Sequence, residues 1–164
     1  MKRILTLFIT LLFTGICNAQ LSVGDNAPIL LGKDSKTSKE ITLHNYSGKV
    51  TVIMFWASWC DYCYKTLPVM EAMQKQLGQT KLQVISIAVK VDARTINKIT
   101  DEMNQLSMIS GYDKLGKVLA SYGDDYMPNL WVINRAGKIT GHMPIKNDED
   151  LVKAIKMVEF ELKQ

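Results

Sequence analysis

Ligands for a metal are scarce in this chain. Its 164 residues hold three cysteines and two histidines, and His44 and His142 belong to different predicted elements far apart in sequence. A structural zinc site takes four Cys or His ligands, usually from a second CxxC or a close histidine pair, and neither is present. The residue after the one CxxC is Tyr64 rather than the histidine that c-type haem attachment needs, so a c-type haem site is excluded. Charge of one sign is also lacking. The 20 Lys and Arg face 16 Asp and Glu, with no basic cluster and no interleaved aromatics, so nothing supports a nucleic-acid partner. Internal repeats are absent, and beyond the N-terminus no apolar run approaches the ~20 residues of a membrane-spanning helix.

What is present has the balance of one globular domain, 47% hydrophobic and 22% charged. The N-terminus stands apart. Met1-Lys2-Arg3 precedes ILTLFITLLF and then the small and polar run TGICNAQ, the order of an export signal. Cleavage after Ala19 would remove residues 1–19 and leave a domain over 20–164. A lipid-modified Cys17 is the alternative, disfavoured by the bulky Ile16 before it. Either way the domain is expected outside the cytoplasm, in a periplasm or an equivalent extracytoplasmic space. Without Cys17, Cys60 and Cys63 can pair only with each other. A bridge across so short a loop removes little entropy from the unfolded chain and makes a poor staple, which leaves a working dithiol as the stronger reading.

The elements follow from periodicity. Leu21 to Gly48 is polar and punctuated, but Ile29-Leu30-Leu31, Ile41 and Leu43 can supply an edge hairpin. VTVIMFW, Val50 to Trp56, suits a strand buried on both faces, and Leu67, Met70, Met73 and Leu77 then predict a helix to Gly78, kinked at Pro68. LQVISIAV, Leu82 to Val89, is a second buried strand, parallel to the first through a right-handed crossover. Asp92 can cap a helix that carries Ile96, Ile99, Met103 and Leu106 and closes near Gly111. A short helix KVLASY runs to Gly123. LWVIN and KITGHM read as a hairpin about Arg135-Ala136-Gly137, and Asp148 opens a last helix with Leu151, Ile155, Val158 and Leu162 inward. The order implies an α/β fold of three layers, a mixed central sheet with helices on both faces and an N-terminal β-hairpin extension.

The chemistry lies in FWASWCDYC, Phe55 to Cys63. A strand running into a helix puts Cys60 at the helix N-terminus, where unpaired N–H groups and the dipole favour a thiolate. Such settings bring a cysteine pKa from about 8.5 to roughly 3.5–7.5. Cys63 lies one turn on, within reach of Cys60 but turned to the core. The pair can therefore exchange disulfides, with Cys60 attacking and Cys63 resolving, and spacing alone sets no direction.

With VTVIMFWASWCDYC in place, the chain resembles the thioredoxin superfamily and, more narrowly, the exported TlpA/ResA-like thiol:disulfide oxidoreductases. The likeness extends through ITLHNYSGKV, the CxxCxxxxP spacing to Pro68, YMPNLWVIN, NRAGKI and the last helix. It implies a thioredoxin-like fold with Pro128 cis and facing the dithiol, and the Met127 backbone pairing with extended substrate. Trp59, Asp61 and Tyr62 would border that substrate face. Protein disulfides or apocytochrome thiols, as in cytochrome c maturation, are the implied substrates. A membrane-bound thiol electron donor would recharge the enzyme, and no cofactor is expected beyond the redox-active Cys60–Cys63 disulfide.

Two departures stand out. Many relatives place a carboxylate beneath the second cysteine, where this chain has Met54 and Thr66, and the dipeptide between the cysteines is Asp61-Tyr62 rather than Gly-Pro or Glu-Pro. Three rivals stay open: an oxidase or isomerase using the same residues, a Sco-like copper module, and a peroxidase. Sco-like proteins use CxxxC with a partnered histidine, and peroxidase nucleophiles follow Pro and Thr rather than Ala57-Ser58-Trp59.

Overall fold

Two apolar, largely β-branched runs form the centre of the sheet. β3 (Val50–Trp56) and β4 (Leu82–Val89) are buried at every position, as strands covered on both faces must be. The computed structural model describes residues 21–78, 80–103 and 105–164. The export signal expected over 1–19, and Cys17 with it, lies outside the described residues.

Around the central pair stand β1 (Leu30–Asp34), β2 (Glu40–Thr42), β5 (Ile109–Asp113), β6 (Asn129–Ile133) and β7 (Ile139–Pro144). They form one seven-stranded mixed sheet in the order β2-β1-β5-β4-β3-β6-β7. β3, β4 and β5 are parallel, while β1, β2, β6 and β7 join antiparallel. The expected N-terminal hairpin is β1–β2 at one edge, and the Arg135-Ala136-Gly137 hairpin closes the other.

The helices are α1 (Asp61–Leu77), α2 (Ala93–Met103), α3 (Lys117–Tyr122) and α4 (Asp148–Leu162). Trp56 meets Tyr64 of α1 edge to face, and its side of the sheet also carries Val132 and Gly141, against which Met157 of α4 packs. Phe55 points the other way and meets Tyr122 of α3. Helices thus cover both faces, as the periodicity predicts.

α1 runs unbroken past Pro68, which sits exposed on its outer side. Its buried stripe holds Cys63, Thr66, Leu67, Met70 and Met73. Gln74 fixes it to the sheet: Nε2 donates to the Leu82 carbonyl at 3.1 Å, and Oε1 accepts from Val84 N at 2.6 Å. Asp92 caps α2 as expected, accepting from Thr95 N at 2.7 Å.

One expectation is corrected. The second helix ends at Met103, not near Gly111, and residues 109–113 form β5 between β4 and β1. ISGYD carries too little apolar periodicity to announce a strand. Gly111 is required there because a Cβ would stand 2.9 Å from the Lys33 carbonyl of the neighbouring strand.

Candidate active site

The register of the sheet assembles the site. β3 pairs antiparallel with β6 so that Phe55 lies opposite Asn129. The end of β3, which delivers the chain to Cys60, therefore meets the start of β6, which follows Met127-Pro128. The Met127–Pro128 bond is cis, as the resemblance implied, and Pro128 is buried.

Cys60 is the N-cap of α1 and is bonded to Cys63, with Cα atoms 5.3 Å apart. Cys60 Sγ also accepts from Cys63 N at 3.2 Å, so the sulfur sits where the helix offers its free N–H groups. Both cysteines are buried, Cys60 with 7% exposure and Cys63 with none. Trp59, at 71% exposure, stands out beside it. Asp61 is exposed in the first turn of α1.

Tyr62 is half-buried, and its phenol donates to Asp148 Oδ1 at the start of α4, 2.5 Å away. That bond, with desolvation and the Asp148 and Asp150 charges adding to it, pushes the phenol pKa up to about 12. The Lys65 ammonium lies 5.8 Å above the ring. Next along α1, the Tyr64 hydroxyl donates to the Ser58 carbonyl at 3.4 Å, tying the helix to the loop before Cys60.

Neither position 54 nor position 66 carries a carboxylate. Met54 is fully buried, and the Thr66 hydroxyl donates to its own helix at the Tyr62 carbonyl, 3.0 Å away. The buried acid on α1 is Glu71, which the sequence reading missed. It lies eight residues beyond Cys63, about 12 Å along the helix axis. Its carboxylate accepts from Ser107 N at 2.7 Å and Met108 N at 3.0 Å, and Lys75 Nζ lies 3.2 Å away. Burial alone would push its pKa up, but these donors together hold it below the ordinary carboxylate value. It clamps α1 to the segment before β5 and stays ionised.

The reading also missed a group around the cis-proline. Asn129 Nδ2 donates to the Asp124 and Tyr126 carbonyls, Trp131 Nε1 donates to Asn129 Oδ1, and His142 stacks on Trp131 while facing Asp124. Burial pushes the His142 pKa down, and Asp124 opposes it. His44 is exposed on the turn after β2. Neither histidine carries a sequence signal that links it to the cysteines. Among the described residues, no three His, Cys, Asp or Glu side chains converge as metal ligands.

Residues 23–142 match the AhpC/TSA family. The thiol-disulfide oxidoreductase ResA of Bacillus thuringiensis subsp. konkukian is 26% identical over 121 residues, 73% of this chain and 68% of its own. ResA of Geobacillus thermodenitrificans is 25% identical over 140 residues, 83% and 79% of the two chains. Among solved structures, a Chlorobium tepidum protein assigned as the thiol:disulfide interchange protein DsbE superposes with a TM-score of 0.75. The two share 27% identity, over 87% of this chain and 99% of that one.

Proposed function

We infer the function from one premise: this chain belongs to the AhpC/TSA family, and within it is a thioredoxin-fold thiol-disulfide oxidoreductase resembling ResA. The observation that carries the reading is the Cys60–Cys63 bond at the N-terminus of α1, after a strand whose end pairs with the start of β6 next to cis-Pro128.

We propose that the reduced enzyme works as a reductant of protein disulfides outside the cytoplasm. Cys60 thiolate attacks one sulfur of a substrate disulfide, forming a mixed disulfide and expelling the other sulfur as a thiolate. Cys63 thiolate then attacks Cys60 Sγ, which restores the Cys60–Cys63 disulfide and releases the second substrate thiolate. Two electrons pass to the substrate, and two protons from solvent complete its thiols. A thiol donor, membrane-bound in our reading, reverses the exchange to recharge the enzyme. Exposed Trp59 and the Met127 backbone supply the surface on which substrate would lie, and Asp61 and Tyr62 border it.

Several features favour these finer assignments. The order of basic, apolar and small residues over 1–19 supports export. Among the described residues, no helix is long and apolar enough to cross a membrane. The exposure difference between the two cysteines supports attack by Cys60 and resolution by Cys63.

A Cys63→Ser variant should accumulate a polypeptide disulfide-linked through Cys60, identifiable by mass spectrometry and released by a small thiol. Failure to trap any disulfide-bearing protein would sink the exchange reading. A reduction potential near the DsbA value of about −120 mV would instead make the enzyme an oxidant.

A further inference from the structure

Segment 124–128 leads into cis-Pro128, and side chains hold its shape. Asp124 Oδ1 accepts from Tyr126 N at 2.8 Å. On the inner side, Asn129 Nδ2 donates to the carbonyls of Asp124 at 3.0 Å and Tyr126 at 2.9 Å. Asn129 Oδ1 accepts the Trp131 indole proton at 3.2 Å. The Trp131 ring stacks on His142 with centroids 3.8 Å apart and planes 19° from parallel. His142 Nε2 stands 2.8 Å from Asp124 Oδ2, which closes the circuit.

The circuit is anchored in rigid structure. Asn129 and Trp131 are completely buried, and Trp131 lies directly opposite His142 in the β6–β7 ladder. The Pro128 carbonyl accepts from Ile145 N at 2.9 Å, which fixes the far end of the segment. Neither cysteine is part of this circuit. Outward the segment presents Asp125 and Tyr126, the latter 42% exposed with the Lys146 ammonium 5.7 Å from its ring.

We propose that Asp124, Asn129 and His142 are positioning residues that hold this segment as a preformed edge for polypeptide, and so set a preference for protein disulfides over small-molecule disulfides. The proposal rests on Cys60–Cys63 being the exchange pair. A small disulfide needs only to reach Cys60 Sγ. A protein substrate must also settle its backbone along the neighbouring edge, and a loose edge would have to be ordered at the moment of binding. Loss of the circuit is therefore read in KM for protein substrates and not in the chemical step.

The test uses the full chain and two substrates, a disulfide-bonded protein such as insulin and a small aromatic disulfide. Asp124→Ala and His142→Ala should each raise KM for the protein substrate about tenfold, with kcat and the reduction potential unchanged. Exchange with the small disulfide should stay within about twofold of wild type. His142→Gln, which can offer an amide N–H to Asp124, should recover most of the lost affinity. Asn129 is too deeply buried for its substitution to separate positioning from folding, so the two more accessible partners carry the test. A parallel loss on both substrates, or an unchanged KM for the protein, would overturn the proposal while leaving the exchange reading intact. A wild-type enzyme inactive on both substrates would overturn the exchange reading itself.

Discussion

Tyr62, the second residue between the two cysteines, is hydrogen-bonded to Asp148, the first residue of the last helix and 86 positions away. The bond joins the dipeptide of the redox site to a helix start that already gathers Asp148, Glu149 and Asp150, where the dipole favours negative charge. It also keeps the phenol protonated far into the alkaline range.

Asp148→Asn removes both the charge and the ionic acceptor. The Tyr62 phenol pKa should then fall from about 12 toward the ordinary value of about 10. An alkaline titration followed by tyrosinate absorbance, with Tyr62→Phe to assign the signal, measures it. A titration that does not move would show that Asp148 is not the cause.

Thr66 stands at one of the two positions where the resemblance leads us to expect an acid, and its hydroxyl is already given to the Tyr62 carbonyl. Thr66→Val should therefore leave the rate of resolution by Cys63 within about twofold of wild type in single-turnover exchange. A loss of about tenfold or more would show that the hydroxyl does help Cys63 lose its proton.

Asp61 places a negative charge in the turn that begins at Cys60, against the thiolate that the helix N-terminus favours. In the reduced enzyme, Asp61→Asn should lower the Cys60 pKa, and by less as salt is added, because an exposed charge is screened. Thiolate absorbance against pH reads the shift. A rise, or no change at low salt, would remove Asp61 from the account.

Glu71 gives a stability prediction with a definite sign. Its folded pKa lies below the ordinary value, so its contribution is present in full above the unfolded pKa of about 4.3 and is lost as pH falls through the lower folded value. Glu71→Gln should cost about 1–3 kcal/mol at neutral pH, since the Ser107 and Met108 N–H groups lose an ionic acceptor. The gap between variant and wild type in denaturant midpoint should close in acid. A gap that is constant from neutral pH into acid would contradict the assignment.

Much of the fold was legible because its parts announce themselves locally. The β-branched run Val50 to Trp56, the helical spacing of Leu67, Met70 and Met73, and the breaker at Gly78 each depend on a few neighbouring residues. β5 was not legible. ISGYD is a strand because β4 and β1 supply partners on both sides, and its Gly111 answers a close approach by another strand rather than any local pattern. Glu71 escaped notice for a similar reason: on a helical wheel it is one more surface acid, and only the approach of residues 107 and 108 buries it.

By itself, the sequence determined the kind of chemistry. Two cysteines three positions apart, at the junction of a buried strand and a helix, point to disulfide exchange ahead of its rivals, since that junction needs only local propensity and one turn of geometry. The tertiary structure decided what surrounds them. The β3–β6 register brings Met127-Pro128 to the end of the strand that leads to Cys60, and the β6–β7 register sets His142 on Trp131 and within reach of Asp124. The docking of α4 puts Asp148 under the Tyr62 phenol. Each of these depends on which strands pair and in what register, and residues so far apart carry no local mark of their partners.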